Sequence, residues 1–231
     1  MRRLFLIALL ALAPAAYAFQ GAPKAAPAKP GTHPVTGRQI AGVMGMNGAS
    51  WLVRPEREEE EHPEQALDAM NIRPGMKIAD LGAGVGYMSL RMAKRVGPSG
   101  RIYAVDLQPG MLELLRQRAA AEKITNVEPL LGEVADPKLP AGQMDIILMV
   151  DVYHELSDPQ TMLRKIRDAL KPDGRLILLE YRAEDPAVQI IADHKMSVDQ
   201  VKRELEAEGF VMQPPIETLP IQHLFILTKK R

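Results

Sequence analysis

The stretch ADLGAGVGY, residues 79–87, constrains this chain more than any other. Gly82, Gly84 and Gly86 follow the short apolar run KIADL and precede GYMSLRMAKRV, in which Met88, Met92 and Val96 keep helical spacing. A strand must therefore end in a tight turn that opens a helix, because glycine lets the backbone turn sharply and approach a ligand closely. The alternation continues downstream. RIYAVD reads as a strand and 109–122 as a helix with Pro109 in its first turn. VEPLLG and the nearly all-apolar MDIILMVD read as strands, and Asp158 caps a helix over 159–170. RLILLEY is a fifth strand, Ser197 caps a helix ending at Gly209, and two strands follow near 210–213 and 222–228. Near-continuous apolar strands separated by helices predict a parallel sheet covered on both faces. No helix separates the last two strands, which are expected to pair antiparallel at one edge.

The loop belongs to a nucleotide site, and its spacing narrows the kind. A dinucleotide fingerprint, GxGxxG, requires glycine at 87, where Tyr87 stands. Asp80 just ahead of the turn would repel a diphosphate but suits an ammonium group. Asp106 ends the second strand, placed to accept hydrogen bonds from ribose hydroxyls; a turn-forming aspartate is the plain alternative.

Together these segments resemble the class I S-adenosylmethionine-dependent methyltransferases, in style the small-molecule members that include the quinone-biosynthesis C-methyltransferases. ADLGAGVG, VGPSGRIYAVDLQPGML, LLGEVADPKLP, ILMVDVYHEL and LRKIRDALKPDGRLILLEY carry the likeness in order, from about residue 63 to the C-terminus. The resemblance implies a doubly wound, mostly parallel seven-stranded α/β sheet with a reversed edge strand, and S-adenosyl-L-methionine as cofactor. It implies that Asp80, Gly82, Ala83, Gly84 and Gly86 surround the methionine part, and that Asp106 holds the ribose with Leu107, Gln108 and Met111 nearby. Glu133 and Val134 would border the adenine, with Glu133 departing from the common Asp, and Asp151 would lie near the reacting methyl. An alternative reading is a sensor module that binds the cofactor without transferring it.

Candidate bases are His154 in DVYHEL, beyond the fourth strand, and His194 in ADHKMS, because histidine titrates near neutral pH. Tyr153 could shape the pocket. His33, His62 and His223 are expected outside the chemistry, although Arg57, Glu61 or His62 could belong to a lid. DVYH replaces the NPPY-type tetrapeptide of relatives that methylate exocyclic amines. The chain has no cysteine, which excludes Cys-ligated zinc and thiol chemistry, and 29 basic against 29 acidic residues leave no nucleic-acid footprint. A small or lipophilic acceptor is the expectation; the oligomeric state is not legible.

The N-terminus adds Arg2 and Arg3, an apolar run over 4–12 and Ala16-Tyr17-Ala18, the form of an export signal cut after Ala18. Uncut, it would tether the protein to a membrane. Export is at odds with a cofactor made inside the cell. Residues 19–50, rich in Ala, Pro, Lys and Gly, read as a flexible linker, 51–231 as the domain, and 51–72 as its helical lid segment.

Overall fold

The computed structural model describes residues 31–230, so the expected leader and the first part of the linker lie outside the described residues. Two short helices, α1 (Arg57–Glu61) and α2 (Pro63–Ala69), lead into β1 (Lys77–Leu81), α3 (Tyr87–Val96), β2 (Arg101–Asp106), α4 (Pro109–Ala121) and β3 (Val127–Leu131). After β4 (Met144–Val150) come α5 (Pro159–Ala169), β5 (Leu170–Arg182) and β6 (Lys195–Met196). The chain closes with α6 (Val198–Ala207), β7 (Phe210–Met212) and β8 (Gln222–Lys229).

The strands form one sheet in the order β3-β2-β1-β4-β5-β8-β7. Pairing is parallel from β3 to β5, while β8 runs antiparallel to β5 and to β7. The expected α/β architecture is thus present, with two refinements. The reversed strand, β8, lies one place in from the edge, because β7 pairs on its outer side. An eighth, two-residue strand, β6, pairs β5 at Tyr181 and Arg182, beyond the reach of β4.

Strand β4 shows why its run is apolar almost throughout. Ile146 and Leu148 enter the core under α2 and α3, while Met144, Ile147 and Met149 enter the opposite core under α5 and α6. A strand sandwiched between two helical layers has no solvent face. Helix ends follow local chemistry: Thr161 N–H donates to Asp158 Oδ1 (3.2 Å) at the start of α5, and Ser197 with Gln200 forms a full capping box on α6.

The stretch read as a linker differs over residues 31–50. Thr32 bridges Gln39, and the resulting turn docks on the domain: His33 and Ala41 are buried, and Glu204 of α6 receives both Arg38 Nε (3.0 Å) and Thr36. Composition gave no warning, because only a few anchoring side chains hold an otherwise Gly-rich segment.

Candidate active site

The sheet order reverses between β1 and β4, since the chain winds outward through β2 and β3 and then restarts on the other side. Open α/β sheets leave a crevice at the carboxyl ends of strands flanking such a switch. A cavity of about 450 Å³ lies there, within the range of small-molecule sites.

One end of the cavity is built by the glycine turn and Asp106. Gly82 (φ +70°) and Gly84 (φ +54°) line it in the left-handed region; a Cβ on Gly82 would meet Val152 Cγ2 at 2.4 Å. Asp106 terminates β2 and is held from both sides, accepting from Gly84 N–H (2.8 Å) and Gln108 N–H (2.9 Å). A carboxylate offers about four lone-pair sites, so two remain for a ligand. Burial raises the Asp106 pKa, against the pull of those backbone donors. Leu107, Gln108, Met111, Glu133 and Val134 also line this end. Gln108 Nε2 donates to Met44 O (2.8 Å), and Glu133 pairs with Lys138 (2.9 Å) at the rim.

Three expected residues stand elsewhere. Asp80 does not line the cavity: Ser89 Oγ donates to its Oδ2 at 2.5 Å, behind the turn, and burial pushes its pKa up to about 6. Gly86 is the N-cap of α3, where a Cβ would meet Leu115 Cγ at 2.8 Å; it serves helix packing. Ala83 is buried against Leu115 and Ala104.

Asp151 follows β4 with φ 53°, a left-handed conformation that aspartate tolerates better than most residues. Gln222 Nε2 donates to its Oδ2 (2.8 Å), while its buried Oδ1 has no partner. Burial, then the carboxylates of Glu61 and Glu180, drive its pKa well above the usual range. Of the lid candidates, Arg57 lines the cavity and pairs with buried Glu61 (2.7 Å). His62 bonds Gln65 (3.2 Å) at the surface.

The two candidate histidines meet. His154, buried in a short helical turn over Tyr153–Glu155, has Nδ1 2.6 Å from Glu180 Oε2 and Nε2 3.1 Å from His194 Nδ1. Burial would lower the His154 pKa, but the Glu180 charge and hydrogen bond outweigh it and raise the value. Burial and then His154 lower that of His194. Only His194 lines the cavity; His154 stands behind it. Tyr153 is turned away, its hydroxyl 3.2 Å from His33 Nε2. His223 lies off the cavity, between Glu217 (2.8 Å) and Glu184 (2.9 Å).

Met44, Tyr181, Ile190 and Ile191 line the cavity with no signal in the sequence, while Trp51 and Leu52 line it from the segment expected to form a lid, Leu52 lying against Gly84, and Glu155 lines it beside the histidine pair. Glu180 did leave a signal: an acidic residue inside LILLEY has to be buried, and a buried carboxylate needs a partner.

The family model described as "Methyltransferase domain" matches residues 72–212, from before β1 to the end of β7. The chain belongs to this methyltransferase family. A solved S-adenosylmethionine-dependent methyltransferase from Aquifex aeolicus superposes with a TM-score of 0.75 at 26% identity, over 80% of this chain and 99% of that one. Nocamycin O-methyltransferase of Saccharothrix syringae is 32% identical over 138 residues, 60% of this chain and 47% of its own length. A ubiquinone/menaquinone biosynthesis C-methyltransferase of Paraburkholderia phymatum is 28% identical over 160 residues, 64% of this chain and 65% of its own. The chain spans about half to two thirds of those two curated relatives. The family match covers the sheet from β1 to β7 and the whole cavity floor, whereas the strap over residues 31–56 lies outside it.

Proposed function

We propose that this methyltransferase-family chain transfers the methyl group of S-adenosyl-L-methionine to a small, largely apolar organic acceptor. One observation carries the reading. A single cavity joins the glycine turn and Asp106 at one end to His194 at the other, and Met44, Trp51, Leu52, Leu156, Met162 and Ile190 make the wall between them apolar.

The residues fit the cofactor. Asp106 has lone pairs left for two ribose hydroxyls, Leu107, Met111 and Val134 offer apolar faces to a base, and the unpartnered Oδ1 of Asp151 is a polar atom awaiting a ligand group. Gly82 and Gly84 keep the floor free of side chains where Cβ atoms would intrude. Bound S-adenosylmethionine supplies a methyl carbon already activated by a sulfonium. The protein's share is orientation: the cavity walls hold acceptor and cofactor in line and exclude water, an effect that supplies roughly 7 kcal/mol or more of a barrier. His194 reaches the acceptor end. His154 touches neither partner and positions His194 through its ring nitrogen, itself anchored by Glu180.

Label transfer tests this. Protein incubated with methyl-labelled S-adenosylmethionine and a panel of phenols, quinols and fatty acids should yield label in an organic extract. Label that stays in the aqueous phase with every apolar acceptor, but enters a polar amine or a nucleic acid, contradicts the reading. Export by residues 1–18 is part of the same proposal. A native N-terminus at Phe19 supports cleavage, and one at Met1 contradicts it.

A further inference from the structure

We propose that His154, His194 and Glu155 bind one divalent transition-metal ion, with zinc the best match, in the wall of the cavity. Potential ligand atoms of the three side chains lie within 4.8 Å of one another. Zinc holds imidazole nitrogen and carboxylate oxygen at about 2.0–2.1 Å in a tetrahedron, which sets ligand atoms roughly 3.3 Å apart. The two histidine nitrogens are already 3.1 Å apart. Glu155 is the ligand with ground to close, and its half-buried side chain lies at the cavity rather than in the core.

A second observation is independent of the cluster. His154 gives its Nδ1 side to Glu180 Oε2 at 2.6 Å, and Glu180 is fully buried and further fixed by Tyr153 N–H (2.9 Å). A carboxylate on the far nitrogen is the arrangement that fixes the tautomer and orientation of a metal-bound histidine and makes its other nitrogen a better donor. It leaves Nε2 of His154 directed at His194. Two histidines and one carboxylate are also the ligand count of zinc sites that keep a fourth position open. Glu155 and His194 both face the cavity, so that fourth position opens onto the acceptor end, where a water or an acceptor oxygen can bind. The three side chains offer two imidazole nitrogens and one carboxylate oxygen, a ligand set that suits zinc, cobalt or nickel over the softer copper(I).

The experiment uses the full chain, freed of any affinity tag and treated with a chelator, then titrated with cobalt(II) and zinc. One cobalt per chain is expected, with visible absorption of tetrahedral strength that disappears when zinc displaces it. His194→Ala should abolish that absorption, Glu155→Gln should weaken zinc binding more than tenfold, and Glu180→Gln should weaken it by about 10- to 100-fold. Replacement of buried His154 could unfold the chain, so the wild-type protein carries its own control. With nitrogen-labelled histidine, zinc should move the ring signals of His154 and His194 and leave that of His223 in place. Unmoved His154 and His194 signals at saturating zinc, or equal zinc affinity in wild type and His194→Ala, overturn the site and leave a plain hydrogen-bonded histidine pair. Neither readout requires turnover, so the metal site and the methyl-transfer reading fail separately.

Discussion

Gly82 shows how one residue decides the shape of a site. Its φ of +70° disfavours any L side chain, and a Cβ there would press into Val152 at 2.4 Å. Gly82→Ala should therefore lose about 1–3 kcal/mol of stability, read from a shifted urea midpoint at unchanged slope. Asp106 is the second such residue. Asp106→Ala removes the carboxylate proposed to receive the ribose hydroxyls and frees the Gly84 N–H it accepts from, so cofactor affinity should fall by on the order of 1–3 kcal/mol in a calorimetric titration. Asp80 makes a prediction of another kind. Burial raises its pKa to about 6 from an ordinary 3.8, with Ser89 of α3, Arg57 of α1 and Asp106 at the end of β2 facing it. Because the folded value is the higher one, the proton is held more tightly in the fold than in the unfolded chain. The stability this gives is complete below pH 3.8 and is lost as pH rises through about 6. Between pH 4.5 and 7, wild type should lose on the order of 2 kcal/mol relative to Asp80→Asn, measured as paired urea curves. The glycine turn and Asp106 were legible from spacing alone. The His154–His194 contact was not, because 40 residues separate the rings and only tertiary folding brings them together. Nor was the inward turn of Asp80 toward Ser89: strand position shows that a side chain is buried, not which neighbour receives it.

Among the elements, the parallel strands were the most legible. Burial on both faces writes a near-continuous apolar run into the sequence, and the intervening helices carry their own caps at Asp158 and Ser197. Three features left no such record. The helical segment expected over residues 51–72 holds two short helices, broken at His62 (φ 49°), where Pro63 opens the second and disfavours a helical residue before it, although the first helix over Arg57–Glu61 carried no signal of its own. Strand β6 is two residues long and exists because β5 outruns β4. Residues 31–50 looked like a tether, yet they supply Val43 and Met44 to the cavity and a buried ion pair to the fold. That pair is testable. Glu204 is fully buried and holds Arg38, Thr36 and His33, while Arg38 also donates to His154 O at 3.0 Å. Arg38→Ala strands a buried carboxylate, so stability should fall by about 3 kcal/mol. Hydrogen exchange should quicken first at Ala41, whose N–H donates to the same carbonyl. Unchanged exchange there would show that the strap is held by its apolar contacts alone.

For the whole molecule, the sheet does two jobs with one topology. Its order reverses between β1 and β4, which opens the crevice, and the glycine turn, Asp106, Asp151 and the histidine pair all stand at or beyond strand ends along that edge. Outside the matched region the strap closes the crevice from above, so the cavity wall combines residues of the family match with Met44, Trp51 and Leu52 of the strap. Its apolar character is what points to an apolar acceptor. Among the described residues no helix is long and apolar enough to cross a membrane. A crevice that holds a sulfonium nucleoside should show it in calorimetric titration of the full chain with S-adenosylmethionine, S-adenosylhomocysteine and NAD, each in turn. One saturable site is expected for the first two, weakened in Asp106→Ala, with no saturable heat for NAD. Tighter binding of NAD, or wild-type affinity in Asp106→Ala, would contradict it.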